Sequence, residues 1–274
     1  MNTSRTFAGR TVCVTGASSG MGRAIAEHLG ALGAHVFLTG RTPEEMSASA
    51  KQIHAAGGRA AIDDFDLTDT NRLVQWIDHA ATSTGRLDVL VNSAGFGDIG
   101  SSIIDGDPEM WRGMLNVNVL ALAVGCQAAV RAMRRTGSEG NIINVSSTAT
   151  LRRDSGVYGA TKYAVNCINS TLRSELEDDS IRVTALIPGV FASNFSRHGD
   201  PARITARADA AGITDLQLPG SRRLTPDQIE TIQSALPTTM GNTTHIARAV
   251  EYIVAQPIEL NIEELVIRPQ KSLF

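Results

Sequence analysis

TVCVTGASSGMGRAIAEHLGALG, Thr11 to Gly33, is the stretch on which the fold turns. Five residues of β-rich character, TVCVT, run straight into Gly16, Gly20 and Gly22, and an apolar-periodic helical segment, RAIAEHLGALG, follows at once. Glycines placed this way allow a tight turn, a close approach of backbone to ligand and close helix packing, and they leave free N–H groups at a helix N-terminus aimed at an anion. The glycine spacing alone is common. A strand before it and an amphipathic helix after it tie the pattern to the phosphates of a dinucleotide.

Outward from that turn, strand-like runs recur along the chain: HVFLT (35–39), AAIDDF (60–65), LDVLV (87–91), NIINVS (141–146), IRVTALI (181–187) and ELVI (264–267). Segments of helical length separate them, two of them long, near 108–135 and 156–178. Such alternation predicts a parallel sheet covered by helices on both faces, and right-handed crossovers make a doubly wound, Rossmann-type α/β sheet of about seven strands the economical topology. One domain over residues 1–274 is the simplest organisation for this length. The rhythm breaks once, over an insertion at 190–242, between Pro188-Gly189 and a helix beginning near Thr244. Connections that long are commonly functional, and a lid over a substrate pocket is the expected use. Within it, LTPDQIETIQSAL offers Thr225 as N-cap, Pro226 at the first helical position and Ile229, Ile232 and Leu236 on one stripe. FASNF, Ile204, Ile213, Leu216, Leu218 and Met240 are available either as apolar pocket lining or as packing within the lid itself.

Composition excludes several classes. The formal net charge is −3, with 42% hydrophobic and 19% charged residues, so no basic excess points to nucleic acid. MNTSRTFAGR carries no apolar run, and the longest apolar stretch, Val119 to Met133, contains Gln127 and falls short of about 20 residues, so no membrane association and a cytoplasmic location are expected. Cys13, Cys126 and Cys167 are scattered and read as buried small hydrophobes, and neither they nor the six histidines show metal-ligand spacing, so no metal site is expected.

At the end of the second strand, where an acidic residue would meet the ribose hydroxyls of NAD, the chain instead reads Gly40-Arg41. A guanidinium there suits a 2′-phosphate, so NADP(H) is the expected cofactor.

The chain holds twenty-two arginines and only three lysines, yet a lysine stands in VYGATKYAV, four residues after Tyr158. Tyr158 and Lys162 share a helix face. An ammonium about 4 Å from a phenol at an effective dielectric near 20 favours the phenolate by on the order of 4 kcal/mol, roughly three pKa units. Lysine's compact head on a flexible stem can reach both ribose hydroxyls and phenol, which arginine's broad fork cannot do as readily.

Taken together, TGASSGMG, NSAG (92–95), NVN ending at Asn118, NVSS ending at Ser147, YGATK (158–162) and IPG (187–189) resemble, in order and spacing, the short-chain dehydrogenase/reductase family. The likeness runs from about residue 9 to 190 and resumes at the C-terminal strand, where ELVIRPQ is similar to members acting on hydroxy acids and small polar alcohols. The resemblance implies an oxidoreductase moving hydride between nicotinamide and a carbonyl or secondary alcohol of a small molecule. In it Tyr158 is the general acid/base, Lys162 its helper, Ser147 the partner of the substrate oxygen and Asn118 a member of a water-linked proton relay. It further implies that Thr15, Gly16, Gly20 and Gly22, with Ser18, Ser19 and Met21, hold the pyrophosphate. Asp66 and Leu67 would face the adenine, Asn92, Ala94 and Gly95 would flank the cofactor, and Pro188, Gly189 and Ser193 would border the nicotinamide. Assembly as a homodimer or homotetramer through the two long helices is implied in the same way.

Two departures stand out: Ser93 replaces the second asparagine of the family's pair, and the Ser147–Tyr158 segment is roughly two residues short, which a surface loop could absorb. Ser146 therefore stays open as an alternative to Ser147. Arg152 and Arg153 in that short loop are either solvated or placed to meet an anionic substrate group. Two other functions stay open beside the reductase: a catalytically silent NADP-binding protein, and a lyase or dehalogenase on the same scaffold.

Overall fold

The computed structural model describes residues 7–98, 102–198, 201–214, 216 and 218–271. The first six residues, on which the reading of no leader rests, lie outside them, as do 199, 200, 215 and 217 of the insertion.

Strand β1 (Thr11–Thr15) is buried at every position, as a strand covered on both faces must be. It hydrogen-bonds in parallel to β2 (His35–Gly40) on one side and β4 (Val89–Asn92) on the other. With β3 (Arg59–Asp64), β5 (Gly140–Val145), β6 (Ile181–Pro188) and β7 (Glu264–Ile267), the sheet has the order β3-β2-β1-β4-β5-β6-β7, all parallel. The doubly wound reading therefore holds, with strand ends one or two residues from their expected places. The order reverses between β1 and β4, and the crevice at that switch lies beyond the strands' carboxyl ends, where ligands of such sheets bind.

Helices α1 (Gly20–Ala31), α2 (Pro43–Ala55) and α9 (Thr243–Val254) cover one face. The other is covered by α3 (Thr70–Thr84), α5 (Leu122–Thr136) and α6 (Gly156–Glu175). Each face carries its own core: Ile25, Leu29 and Ile246 against β1 and β2 on the first, Trp76, Ile77 and Met133 against β4 and β5 on the second.

The expected long helix near 108–135 comes in three pieces. Helix α4 (Pro108–Leu115), capped by Asp107, runs into a π-helical turn at Asn116–Ala121 and then into α5. The extra residue of a π turn re-aims what it carries, and here it turns Asn118 fully inward. The whole run Pro108–Thr136 spans 29 residues and its best window has a mean hydropathy of 1.6, so by length and composition it meets the requirement for a membrane span, contrary to the sequence reading. Half of that window is buried in the fold, with Cys126, Ala129 and Met133 against the sheet, which is the behaviour of a core helix. Cys13 and Cys126 are buried as expected, but Cys167 is exposed: it falls on the outer side of α6, whose covered positions are Tyr158, Thr161, Lys162, Val165 and Asn169.

Within the insertion, α8 (Pro226–Ala235) has Thr225 as N-cap in a full capping box with Gln228, as the sequence predicts. A further helix, α7 (Pro201–Ala210), packs with it around Ile204, Ala208, Ile232 and Met240, so much of the apolar set forms a small core of its own.

Candidate active site

A cavity of about 300 Å³ opens at the switch between β1 and β4. Its floor is the glycine turn. Gly16 adopts φ +68°, and a β-carbon there would stand 2.8 Å from the Ala94 backbone; one on Gly22 would strike the Gly16 carbonyl oxygen. Both positions require glycine on geometry alone. Ser19, the N-cap of α1, makes no side-chain cap, so the first-turn N–H groups of this helix face the cavity unshielded. Helices α3, α4, α8 and α9, by contrast, have side-chain caps from Asp69, Asp107, Thr225 and Asn242.

Of the residues that the sequence reading assigned to a cofactor, Gly16, Ser18, Ser19, Gly20, Met21 and Gly22 line this cavity, and so do Arg41, Asp66, Leu67, Ala94, Gly95 and Ser193. Asp66 Oδ1 accepts hydrogen bonds from Thr68 N and Oγ1, both at 2.8 Å, which holds its carboxyl below the usual range, Arg41 adding a smaller pull. Thr15 and Asn92 stand one layer back. Thr15 Oγ1 accepts from Ser93 N at 3.1 Å and Ala94 N at 3.2 Å, fastening the β4 turn to β1. Asn92 Nδ2 donates to Asn144 Oδ1 at 2.8 Å, and Asn144 Nδ2 to Asn169 Oδ1 at 2.6 Å, a buried amide chain joining β4, β5 and α6. Pro188 and Gly189 do not line the cavity: Gly189 N donates to Ile267 O, and a β-carbon there would press on Arg268.

The four residues expected to carry chemistry gather behind the wall formed by Gly95 to Gly97. Lys162 Nζ would lie 3.5 Å from a β-carbon on Gly95, and a β-carbon on Gly97 would collide with the Tyr158 ring. Phe195, reaching in from the insertion, packs against the same ring, with centroids 5.4 Å apart and planes tilted at 59°. Tyr158 and Lys162 are each 4% exposed. Asn118 is saturated: its Oδ1 accepts from Phe96 N at 3.1 Å, and its Nδ2 donates to Phe96 O at 2.9 Å and Thr161 Oγ1 at 3.0 Å. Its amide therefore clamps the Gly95–Gly97 loop, a task that the relay expectation did not include. Between the two candidate serines the geometry discriminates. Ser146 Oγ donates to Asn166 Oδ1 at 2.7 Å and is buried, whereas Ser147 stands near enough to the Tyr158 phenol to pull its pKa down. The shortened loop is taken up by a 3₁₀ turn, Thr148–Leu151, that Ser147 itself caps.

The simple electrostatic expectation for the tyrosine–lysine pair needs correction. Lys162 Nζ donates to Val145 O at 2.8 Å and sits 5.9 Å from the Tyr158 ring centroid. Burial pushes the phenol up to about 12, with Ser147 pulling the other way, and burial pushes the Lys162 ammonium down to about 8. Desolvation outweighs the attraction between the two. A neutral phenol is a proton donor, so the site as built favours giving a proton over taking one. Arg152 pairs with Asp154 at 2.9 and 2.5 Å, so that guanidinium has a partner inside its own loop.

Phe195, offered within FASNF as pocket lining, does line the cavity, whereas sequence reasoning missed Phe96, Arg197 and Arg223, which line it too. Only the length of the insertion signalled that it would reach the site.

The model of the short chain dehydrogenase family matches residues 10–203. An uncharacterized oxidoreductase of Staphylococcus saprophyticus subsp. saprophyticus is 31% identical over 265 residues, covering 95% of this chain and 97% of that protein. Among solved structures, a metagenomic short-chain oxidoreductase in complex with NADP superposes with a TM-score of 0.74 at 28% identity, covering 96% of this chain and 98% of that one. A short chain dehydrogenase from Burkholderia cenocepacia J2315, also in complex with NADP, gives 0.77 at 28% identity with the same coverage. With its glycine turn, its seven-stranded parallel sheet and a family match across most of its length, this chain belongs to the short-chain dehydrogenase/reductase family of oxidoreductases.

Proposed function

We propose that the protein is an NADP(H)-dependent reductase acting on the carbonyl of a small organic molecule, with Tyr158 as general acid/base. The observation that carries this reading is that Lys162 and Tyr158 lie directly behind Gly95 and Gly97, at the edge of a cavity that Arg41 also lines. The cavity suits the cofactor on three counts: a glycine cradle that a β-carbon would fill, a helix N-terminus left without a side-chain cap, and a cation where the adenosine ribose of a dinucleotide lies. The NADP complexes of the two 28%-identical structures support the same choice.

When bound, NADPH supplies the hydride. Tyr158 Oη then delivers its proton to the substrate oxygen while Ser147 Oγ donates a hydrogen bond to the charge growing there. Lys162, an ammonium held at the inner wall, stabilises the phenolate that Tyr158 becomes, so its effect belongs to the transition state and the product rather than to the resting phenol. Negative charge on a bound dinucleotide would raise the lysine's affinity for its proton, opposing the burial that depresses it. Asn118 and the π turn hold Gly95 to Gly97 in place, which fixes the distance between cavity and phenol.

Arg41→Ala tests the cofactor assignment. The wild type is expected to bind NADPH at least tenfold more tightly than NADH, and the variant to lose that preference; charge-assisted phosphate contacts of about 1.5–3 kcal/mol set the scale. An NADH preference in the wild type sinks the assignment. A silent NADP-binding protein is told apart by following NADPH absorbance against ketones, keto acids and quinones, where it consumes none.

Self-association belongs to the same proposal. Leu115, Leu120, Leu151 and Tyr163 are exposed on and beside the α4–α5 and α6 helices, an apolar face that a second copy would cover. Light scattering is expected to give a dimer or tetramer, and Leu120→Glu to shift it toward monomer. A wild-type monomer at micromolar concentration refutes this part.

A further inference from the structure

Three arginines from distant parts of the chain line the same cavity: Arg41 at the end of β2, Arg197 in the 3₁₀ turn Asn194–His198 and Arg223 just ahead of α8. The one carboxylate among the described lining residues is Asp66, already engaged by Thr68. Among the described residues none of the three arginines pairs with an acid; Arg197 Nη1 donates only to the Asn194 carbonyl, at 3.0 Å. Burial, and then the neighbouring charges of Arg41 and Arg223, depress the Arg197 guanidinium below its ordinary value. Like charges gathered this way repel one another, and an anion between them turns the repulsion into binding.

The gathering is braced. Asn194 Nδ2 donates to Leu224 O at 3.0 Å and its Oδ1 accepts from Leu224 N at 2.7 Å, a two-way amide clasp between the turn bearing Arg197 and the segment bearing Arg223. The same cavity offers Ser18, Ser19 and the open N-terminus of α1, whose O–H and N–H groups can donate hydrogen bonds to an anion.

We propose that Arg197 and Arg223 complete, with Arg41, a three-arginine phosphate site, so that the 190–242 insertion is part of the cofactor-binding surface as well as a cover for substrate. This rests on the dinucleotide reading above and adds two residues to it from outside the βαβ core. The ligand is a phosphate group of the dinucleotide, either its 2′-phosphate or its pyrophosphate.

The test measures NADPH and NADH dissociation constants by fluorescence for the full chain and for Arg197→Ala, Arg223→Ala, the double variant and Arg223→Glu. Each single variant is expected to weaken NADPH binding by roughly 10- to 100-fold, the range for one charge-assisted phosphate contact, and Arg223→Glu by more. Loss confined to NADPH assigns the site to the 2′-phosphate; equal loss for both cofactors assigns it to the pyrophosphate, and either supports the proposal. Unchanged affinity for both cofactors in the double variant overturns it while leaving the dinucleotide reading intact. Failure of the wild type to bind either cofactor removes both. Circular dichroism melting of each variant guards against misfolding, and Arg223→Lys, which keeps the charge, is expected to recover part of the affinity.

Discussion

Tyr158→Phe is expected to lower turnover by about three orders of magnitude while leaving the NADPH dissociation constant within about twofold, the size of effect that a positioned general acid supplies. The substitution removes only the hydroxyl. The ring lies against Gly97 and Phe195 in a site 4% exposed, and phenylalanine fills the same space with the same aromatic contact. Cofactor affinity should survive because the substitution removes no charge and keeps the ring that packs behind Gly97. Stopped-flow single-turnover reduction with saturating NADPH isolates the chemical step. A variant that retains more than about a tenth of the wild-type rate would assign the proton to another group, and the mechanism above would fall.

Lys162→Met is expected to remove turnover by roughly two to three orders of magnitude, on the scale of losing one electrostatic stabiliser of the transition state. It should also weaken cofactor binding, and a second signature concerns folding. The lysine's pKa falls from 10.5 to about 8 because the folded chain buries the ammonium. Below pH 8 both folded and unfolded chains carry the proton, and the full desolvation cost is present. Between about 8 and 10.5 the unfolded chain binds more protons than the folded one, so stability rises with pH across that window. The rise attributable to this residue is roughly 3 kcal/mol. Denaturant unfolding of wild type and variant at several pH values between 7 and 11 measures it as the difference between the two curves. Parallel curves would mean that the lysine is solvated, contrary to its burial under Val145 and Gly95.

How much of this was legible in the residues follows from the range of the interactions involved. The glycine turn, the strands and the helix start at Thr225-Pro226 are written in neighbours within a few positions, and a chain read locally reveals them. The order of the motifs brought Tyr158, Lys162 and Ser147 to one place on paper before any coordinate did. Ser146 and Ser147, adjacent in sequence, could be separated only by seeing that Asn166 of α6 takes the first. The charge balance of the tyrosine–lysine pair was misjudged because Coulomb attraction depends on two residues, whereas desolvation depends on everything packed around them. Arg197 and Arg223 were invisible for a similar reason: nothing in RHG or SRRLT says that an asparagine thirty residues away will clasp the two segments together. The exposure of Cys167 and the three-part helix through Asn118 likewise depend on packing partners far along the chain.

The placement of β1 inside the sheet, between β2 and β4, matters for how the protein is made. As the polypeptide leaves the ribosome, β1, β2 and β3 can pair first, while the flank of β1 reserved for β4 stays bare until residues 89–92 emerge. An unpaired flank on so apolar a strand invites misassociation, and every pairing in this sheet must wait for an intervening crossover. Synthesis at about 5–20 residues per second leaves that flank open for seconds. The nascent chain is thus open to misassociation over a short and definable interval of translation, which closes when β4 pairs with β1.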